Sequence, residues 1–268
     1  MNPTGLGIVH ISLLPGFVCR TDQRVTDLSD IQQRLVAALV LADRPLRRGD
    51  LAARLWPDAP PDRAGARLRQ TVWRLNQATA GGLLRASHTT ISLADHVEVD
   101  YRAAARLIAA VSGAVGTSGA PGAAVGAAGP AAGAAAGAED RLPQAWSLLR
   151  HPLLNDWDDD WLVPFQEKWR LQRVQTLERL AERFLQHRQH SAVLELADAA
   201  TQADPLREGP RRIAVQSCLF VGEIADAHRR YRGYQELLST ELGVAPSGAI
   251  PQLLRQDRER QLALAAEF

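Results

Sequence analysis

Residues 61–82 read PDRAGARLRQTVWRLNQATAGG, and the fold turns on this stretch. At 100° per residue, Ala64, Leu68, Val72 and Leu75 fall within about 80° of arc. They make one apolar stripe, which predicts an amphipathic helix over residues 62–78 with the stripe buried. Gly81 and Gly82 end it. Opposite the stripe lie Arg63, Ala66, Gln70, Trp73 and Gln77, flanked by Arg67, Arg69 and Arg74. Arginine on such a face suits nucleic acid twice over, since it pairs bidentately with guanine edges and neutralises phosphates. Gln70 can read adenine, and Ala66 keeps the face slim enough to enter a groove. The same pattern also describes an ordinary helix with a solvated arginine face, in a chain whose 31 basic residues include one lysine, Lys168. Trp73 either stacks on sugar or phosphate or packs against an adjoining element.

Working outward, a proline-rich loop, Pro57 to Pro61, separates this helix from a shorter one with Leu51 and Leu55 on one face and Trp56-Pro57 at its end. Before that, Ser29 or Asp30 can cap a helix carrying Ile31, Leu35 and Leu39, stopped by Asp43-Arg44-Pro45. Two β-like runs at 8–14 and 17–20, split by Pro15-Gly16, open the chain. After the glycines, residues 83–86 and 90–93 read as a hairpin around Ser87-His88-Thr89. Strand, three helices and hairpin, in that order, are the plan of a winged helix, whose third helix enters the major groove while the hairpin touches the neighbouring minor groove or backbone. Residues 63–94 hold Arg63, Arg67, Arg69, Arg74 and Arg85 and no acid. Such a local basic patch on a chain of net charge +1 is the footprint of a small nucleic-acid-binding element.

Residues 111–138 contain 12 Ala and 8 Gly without a charge. That composition cannot offset its ordering entropy by apolar burial, so a flexible linker or surface insertion is expected there. Beyond it, 165–187, 191–203, 206–221, 223–242 and 247–266 read as a ladder of helices punctuated by Asp204-Pro205, Gly222, and Gly243 with Pro246. A loose offset of 33 aligns Ala181 with Ala214, Leu185 with Cys218 and Ala192 with Ala225, near the period of tetratricopeptide-type helix pairs.

Enzyme signatures are scarce. No phosphate-binding Gly-Lys-Ser/Thr loop and no Gly-x-Ser-x-Gly elbow occur, so no catalytic residue and no cofactor are expected. The acidic run Asp156 to Asp160, interrupted by Trp157, lacks the glycine and distal glutamate of a calcium loop and reads as solvated; His187 and His190 have no further ligand nearby, so no metal is expected. Cys19 and Cys218 form neither a metal spacing nor a disulfide framework. The start of the chain lacks a signal-peptide pattern, and 107–138 is too weakly apolar for a span; a cytoplasmic protein without membrane contact is expected.

Taken together, several motifs resemble a known family. Leu-Ala-Ala-Arg-Leu-Trp-Pro at 51–57, Ala64-x-x-x-Leu68-x-x-x-Val72-Trp73-Arg74-Leu75 and Val97-Glu98-Val99-Asp100 are similar to the OmpR-type winged helix of the SARP regulators (Streptomyces antibiotic regulatory proteins). Trp169-Arg170, Leu177-x-x-Leu180-Ala181, Asp204-Pro205-Leu206-Arg207-Glu208, Gly222-Glu223 and Glu241-Leu242-Gly243-Val244-x-Pro246-Ser247 resemble the bacterial transcriptional activator domain. The resemblance implies a winged-helix domain of mixed α and β structure over 1–98 and an all-α, tetratricopeptide-like activator domain over 99–268. It implies a transcriptional activator on repeated promoter sites, with double-stranded promoter DNA and RNA polymerase, through its sigma or alpha subunit, as partners, and a homodimer on DNA. The Pro57–Pro61 loop is either a polymerase contact or a plain connector. The residues expected at DNA are Arg63, Arg67, Arg69, Gln70, Trp73, Arg74, Arg85, Ser87, His88 and Thr89. The rival reading is a helical-repeat adaptor for protein partners, with a winged helix that grips DNA weakly; the near-neutral charge is its support.

Overall fold

The computed structural model describes residues 8–113 and 148–266, which fall into two compact units: 8–106 with 151–168, and 107–113, 148–150 and 169–266. The first runs β1 (Val9–Ser12), β2 (Val18–Thr21), β3 (Arg24–Val25), α1 (Asp30–Ala42), β4 (Leu46–Arg47), α2 (Arg48–Leu55), α3 (Pro61–Ala78), β5 (Leu84–Ala86), β6 (Thr90–Leu93), β7 (Glu98–Val99) and the start of α4 (Asp100–Gly113). Two sheets result, ordered β3-β2-β1-β7 and β4-β6-β5. All pairs are antiparallel except β1 with β7. Helix α1 starts at Ser29, whose N–H and hydroxyl donate to the Gln32 side chain at 2.8 and 3.0 Å. Leu35 and Leu39 of its predicted stripe are buried.

Strand β1 is tied to the start of α4 by Asp100. Its carboxylate accepts the N–H groups of Leu13 at 2.9 Å, Leu14 at 3.1 Å and Tyr101 at 2.6 Å. Burial pushes this carboxyl up from 3.8, and the three N–H donors oppose the shift. Helix α4 overruns the start of the expected insertion. Residues 111–113 are helical and Val111 is buried; an apolar side chain with a seat in the interior keeps the helix going. The rest of the expected insertion, 114–138, lies outside the described residues.

Residues 151–168 form a strap within the first unit. The N–H of Leu154 donates to Leu13 O, and that of Asn155 to Pro15 O, each at 3.0 Å. Trp157 stacks on Phe17 with centroids 6.1 Å apart. The Arg34 guanidinium lies 5.4 Å over the Trp157 ring, and its Nε donates to both oxygens of Asp159 at 2.8 and 3.0 Å. Arg54 covers Trp161 at 5.6 Å, and the Trp161 indole N–H donates to Asp159 at 3.3 Å. The acidic run is therefore only partly the solvated loop expected of it. Asp156, Asp158 and Asp160 are exposed, but Asp159 is 17% exposed and paired, because Arg34, 125 positions away, reaches it.

The second unit is helical: α5 (Val163–Gln186, whose first residues belong to the strap), α6 (His190–Ala203), α7 (Glu208–Phe220), α8 (Ile224–Leu242) and α9 (Ala249–Ala266). Helix α7 is central and packs on α6, α8 and α9. Val215, Cys218, Ala227, Tyr234, Leu238 and Ile250 make a buried cluster there. The offset of 33 is real at Ala181 and Ala214, both buried, and fades at Ala225, which is exposed.

Two punctuation motifs far apart in sequence are joined. The Glu208 carboxylate accepts the Ser247 N–H at 3.0 Å and also its hydroxyl. The Tyr234 hydroxyl donates to Leu206 O at 3.0 Å. Arg207 Nε donates to Glu178 at 2.6 Å, and a Cβ on Gly209 would overlap that same carboxylate. Gly243, at φ +67, closes α8 in the left-handed conformation that glycine takes without penalty.

Arg230 bridges α6 and α8. It donates to Asp198 at 2.6 and 3.2 Å and to Asp226 at 3.0 Å, and these bonds hold the Asp226 carboxyl below its ordinary 3.8. A carboxyl depressed in the folded state stabilises above its unfolded value and loses that contribution as pH falls through the folded one. The stability gap between wild type and Arg230→Met should therefore stay level above about pH 5 and shrink as pH drops below 3.8, in urea titrations across pH. For the strap, Arg34→Ala should lower unfolding free energy by about 1–3 kcal/mol, since it removes a charge-assisted pair and a cation–π contact together. Urea unfolding followed by tryptophan fluorescence reads this loss.

Candidate nucleic-acid interface

Helix α3 is seated on α1 and α2 by Ala64, Leu68, Thr71, Val72 and Leu75, all buried. Four of these are the predicted stripe. Thr71 joins because its hydroxyl is satisfied by Arg67 O at 2.9 Å. With that face fixed, Arg63, Arg67, Arg69, Gln70, Trp73 and Arg74 are all exposed, Trp73 at 62%. The Trp73 ring thus faces solvent and is not packed into the core.

The helix face carries charge that the rest of the fold does not cancel. Arg34, Arg85, Arg102, Arg150, Arg170, Arg207, Arg212, Arg229 and Arg230 each meet a carboxylate. Among the described residues, Arg63, Arg67, Arg69 and Arg74 meet none. Four unpaired guanidinium groups on one exposed helix face make a local positive field on a chain of net charge +1.

Beside α3 stands the β5–β6 hairpin, in register Leu84↔Leu93, Arg85↔Ser92 and Ala86↔Ile91. Its tip is built by Ser87, whose hydroxyl accepts the N–H groups of Thr90 at 2.9 Å and Thr89 at 3.3 Å. The Ser87 side chain is thus engaged in shaping the turn, while the side chains of His88 and Thr89 are exposed. Arg85 is exposed too, but Asp95, one residue beyond the acid-free window, meets it at 2.5 Å.

Sequence reasoning missed Arg48. It opens α2 and donates to two carbonyls of the hairpin tip, through its N–H to Thr89 O at 2.9 Å and through Nε to Ser87 O at 3.0 Å. Its signal in the sequence is the Arg47-Arg48 pair ahead of Leu51, which lies outside the basic patch at 63–94. A cleft of about 960 Å³ opens between α2, α3 and the tip, bordered by Arg48, Trp56, Arg69, Trp73 and His88. No acid lines it.

Other clusters carry no such geometry. Cys218, Glu223 and Asp226 bring ligand-type atoms within 4.8 Å of one another. Burial pushes the Cys218 thiol up to about 11, and Arg229 and Arg230 already occupy the Asp226 carboxylate, which does not suit a metal-binding thiolate site. His190 lies 3.1 Å from Ser217 Oγ and stacks on Phe220 at 4.7 Å. No helix of the described residues is long and apolar enough to cross a membrane.

A winged helix with a basic, exposed third helix, followed by a tetratricopeptide-like helical unit, defines a class of transcription regulators. A model of the bacterial transcriptional activator domain matches residues 121–256. The regulatory protein AfsR of Streptomyces coelicolor is 29% identical over 245 residues, which cover 87% of this chain and 22% of AfsR. The structure of Mycobacterium tuberculosis EmbR in complex with a low-affinity phosphopeptide superposes with a TM-score of 0.65 at 23% identity, over 95% of this chain and 66% of that one. The chain belongs to the bacterial transcriptional activator domain family and is a transcriptional regulator of the SARP type. It spans about a fifth of the length of AfsR and 66% of the matched EmbR chain.

The Arg85–Asp95 pair is exposed at 61% and 78%, where water screens it. Asp95→Ala should change the unfolding free energy by less than about 0.5 kcal/mol in a urea titration.

Proposed function

We propose that this regulator binds promoter DNA through its winged helix and acts as an activator. Helix α3 lies in the major groove, and the β5–β6 tip rests on the adjoining minor groove or backbone. The observation that carries the reading is the set of exposed, unpaired Arg63, Arg67, Arg69 and Arg74 on the face opposite the buried stripe. Gln70 and Arg63, outermost on that face, approach base edges; Arg67 and Arg74, on its flank, reach phosphates. Trp73 packs on sugars, with His88 and Thr89 at the tip. Ser87 shapes the tip, and Arg85 contributes once Asp95 releases it.

Function divides along the chain into a DNA-binding part over 1–98 and an activator part over 99–268. The activator part orients neighbouring protomers, as a homodimer on repeated sites, and RNA polymerase is the recruited partner through its sigma or alpha subunit. The Pro57–Pro61 loop, beside α3, is the polymerase contact in this scheme. The chain acts in the cytoplasm and carries no catalytic centre.

Salt titrations on a footprinted operator and on random duplex test the reading. Arg67→Ala and Arg74→Ala should weaken binding to both alike and lower the salt slope by about 1 each. Arg63→Ala and Gln70→Ala should cost about 1–3 kcal/mol on the operator and much less on random duplex. Leu68→Ala, which empties the buried stripe, should cost about 2–5 kcal/mol of stability and lose binding only through unfolding, as circular dichroism would show. Unchanged operator affinity in folded Arg and Gln70 variants would hand the function to the protein-adaptor reading.

A further inference from the structure

Arg48, the first residue of α2, ties the hairpin tip to the helix on which α3 packs. Its main-chain N–H and its Nε both donate to the hairpin tip, to Thr89 O at 2.9 Å and Ser87 O at 3.0 Å. It also borders the cleft with Arg69, Trp73 and His88, on a wall without an acid. A guanidinium has five N–H donors in a rigid fork. In Arg48 only the Nε–H is engaged; among the described residues neither Nη nitrogen has a hydrogen-bond partner or a carboxylate. The residue is half-buried, so its stem is held while its outer nitrogens stay reachable.

We infer that Arg48 does two things at once: it locks the hairpin tip beside α3, and its Nη donors take a DNA phosphate from the strand that runs between helix and tip. Helix and hairpin then meet the duplex as one rigid body, with little ordering left to do on binding. Lysine would supply the charge but has no Nε–H fork with which to hold Ser87 O while binding a phosphate. The inference rests on the DNA-binding reading above.

The test uses the full chain and a random-sequence duplex, with anisotropy titrations across salt and with hydrogen exchange of the DNA-free protein. Arg48→Ala should lower the salt slope by about 1 and speed exchange of the Thr89 and Thr90 amides. Arg48→Lys should restore the slope and leave the exchange fast. Arg67→Ala is the reference: it should lower the slope without touching exchange at the tip. A wild-type slope in Arg48→Ala, beside a lowered one in Arg67→Ala, overturns the phosphate contact and leaves the DNA-binding reading standing. Wild-type exchange at the tip in both Arg48 variants overturns the positioning role. A wild-type chain that binds no duplex overturns the DNA-binding reading and this inference together.

Discussion

The first unit depends on one arginine held between two groups of the same strap. Arg34 projects from α1, and the strap returns to it from 125 positions further along the chain. Asp159 takes its Nε–H, and Trp157 lies under its plane. An ion pair alone at this half-exposed position would contribute little. Here the pair is joined by a cation–π contact, by Phe17 stacking on the far aromatic ring, and by two backbone bonds from Leu154 and Asn155. Because α1 in turn seats α2 and α3, the strap reaches the exposed arginines through two layers of packing. A winged helix cut off at the end of its hairpin would lack this support.

A similar logic orders the helical unit. Asp204-Pro205-Leu206-Arg207-Glu208 and the Gly243 to Ser247 turn read in sequence as separate stops and starts. In the fold they are one joint: Glu208 holds Ser247, Tyr234 holds Leu206 and Arg207 holds Glu178. The first two bonds satisfy backbone groups that flank helix starts, and the third ties the α7 start to the middle of α5 through side chains. Gly209 leaves room for this pair, because the Glu178 carboxylate lies where a Cβ would stand.

Charge separates these structural parts from the interface. The arginines that hold the strap or the helices together have partners: carboxylates for Arg34, Arg207 and Arg230, a ring for Arg54, backbone carbonyls for Arg173 and Arg211. Among the described residues, Arg63, Arg67, Arg69 and Arg74 on α3 meet no carboxylate. In a chain with almost no lysine, composition cannot make that distinction. What each guanidinium touches tells the strap and helix-joining arginines from those of α3, and it is a property of contacts between distant residues.

The sequence by itself determined the helices, the hairpin and the face of α3, because these follow from period and punctuation. The stripe of Ala64, Leu68, Val72 and Leu75 is buried as its 100° spacing requires, and α3, β5 and β6 begin within a residue of their expected places. It could not reveal β4 or β7, each two residues long, since a strand that short has no period and exists only through its partner. It could not show that Asp159 is a ligand of Arg34, that Asp95 meets Arg85, or that Arg48 grips the hairpin tip. Those contacts join residues 10 to 125 positions apart, and only the packed chain brings them within reach, because a hydrogen bond or ion pair is decided by distance in space and not by order along the chain.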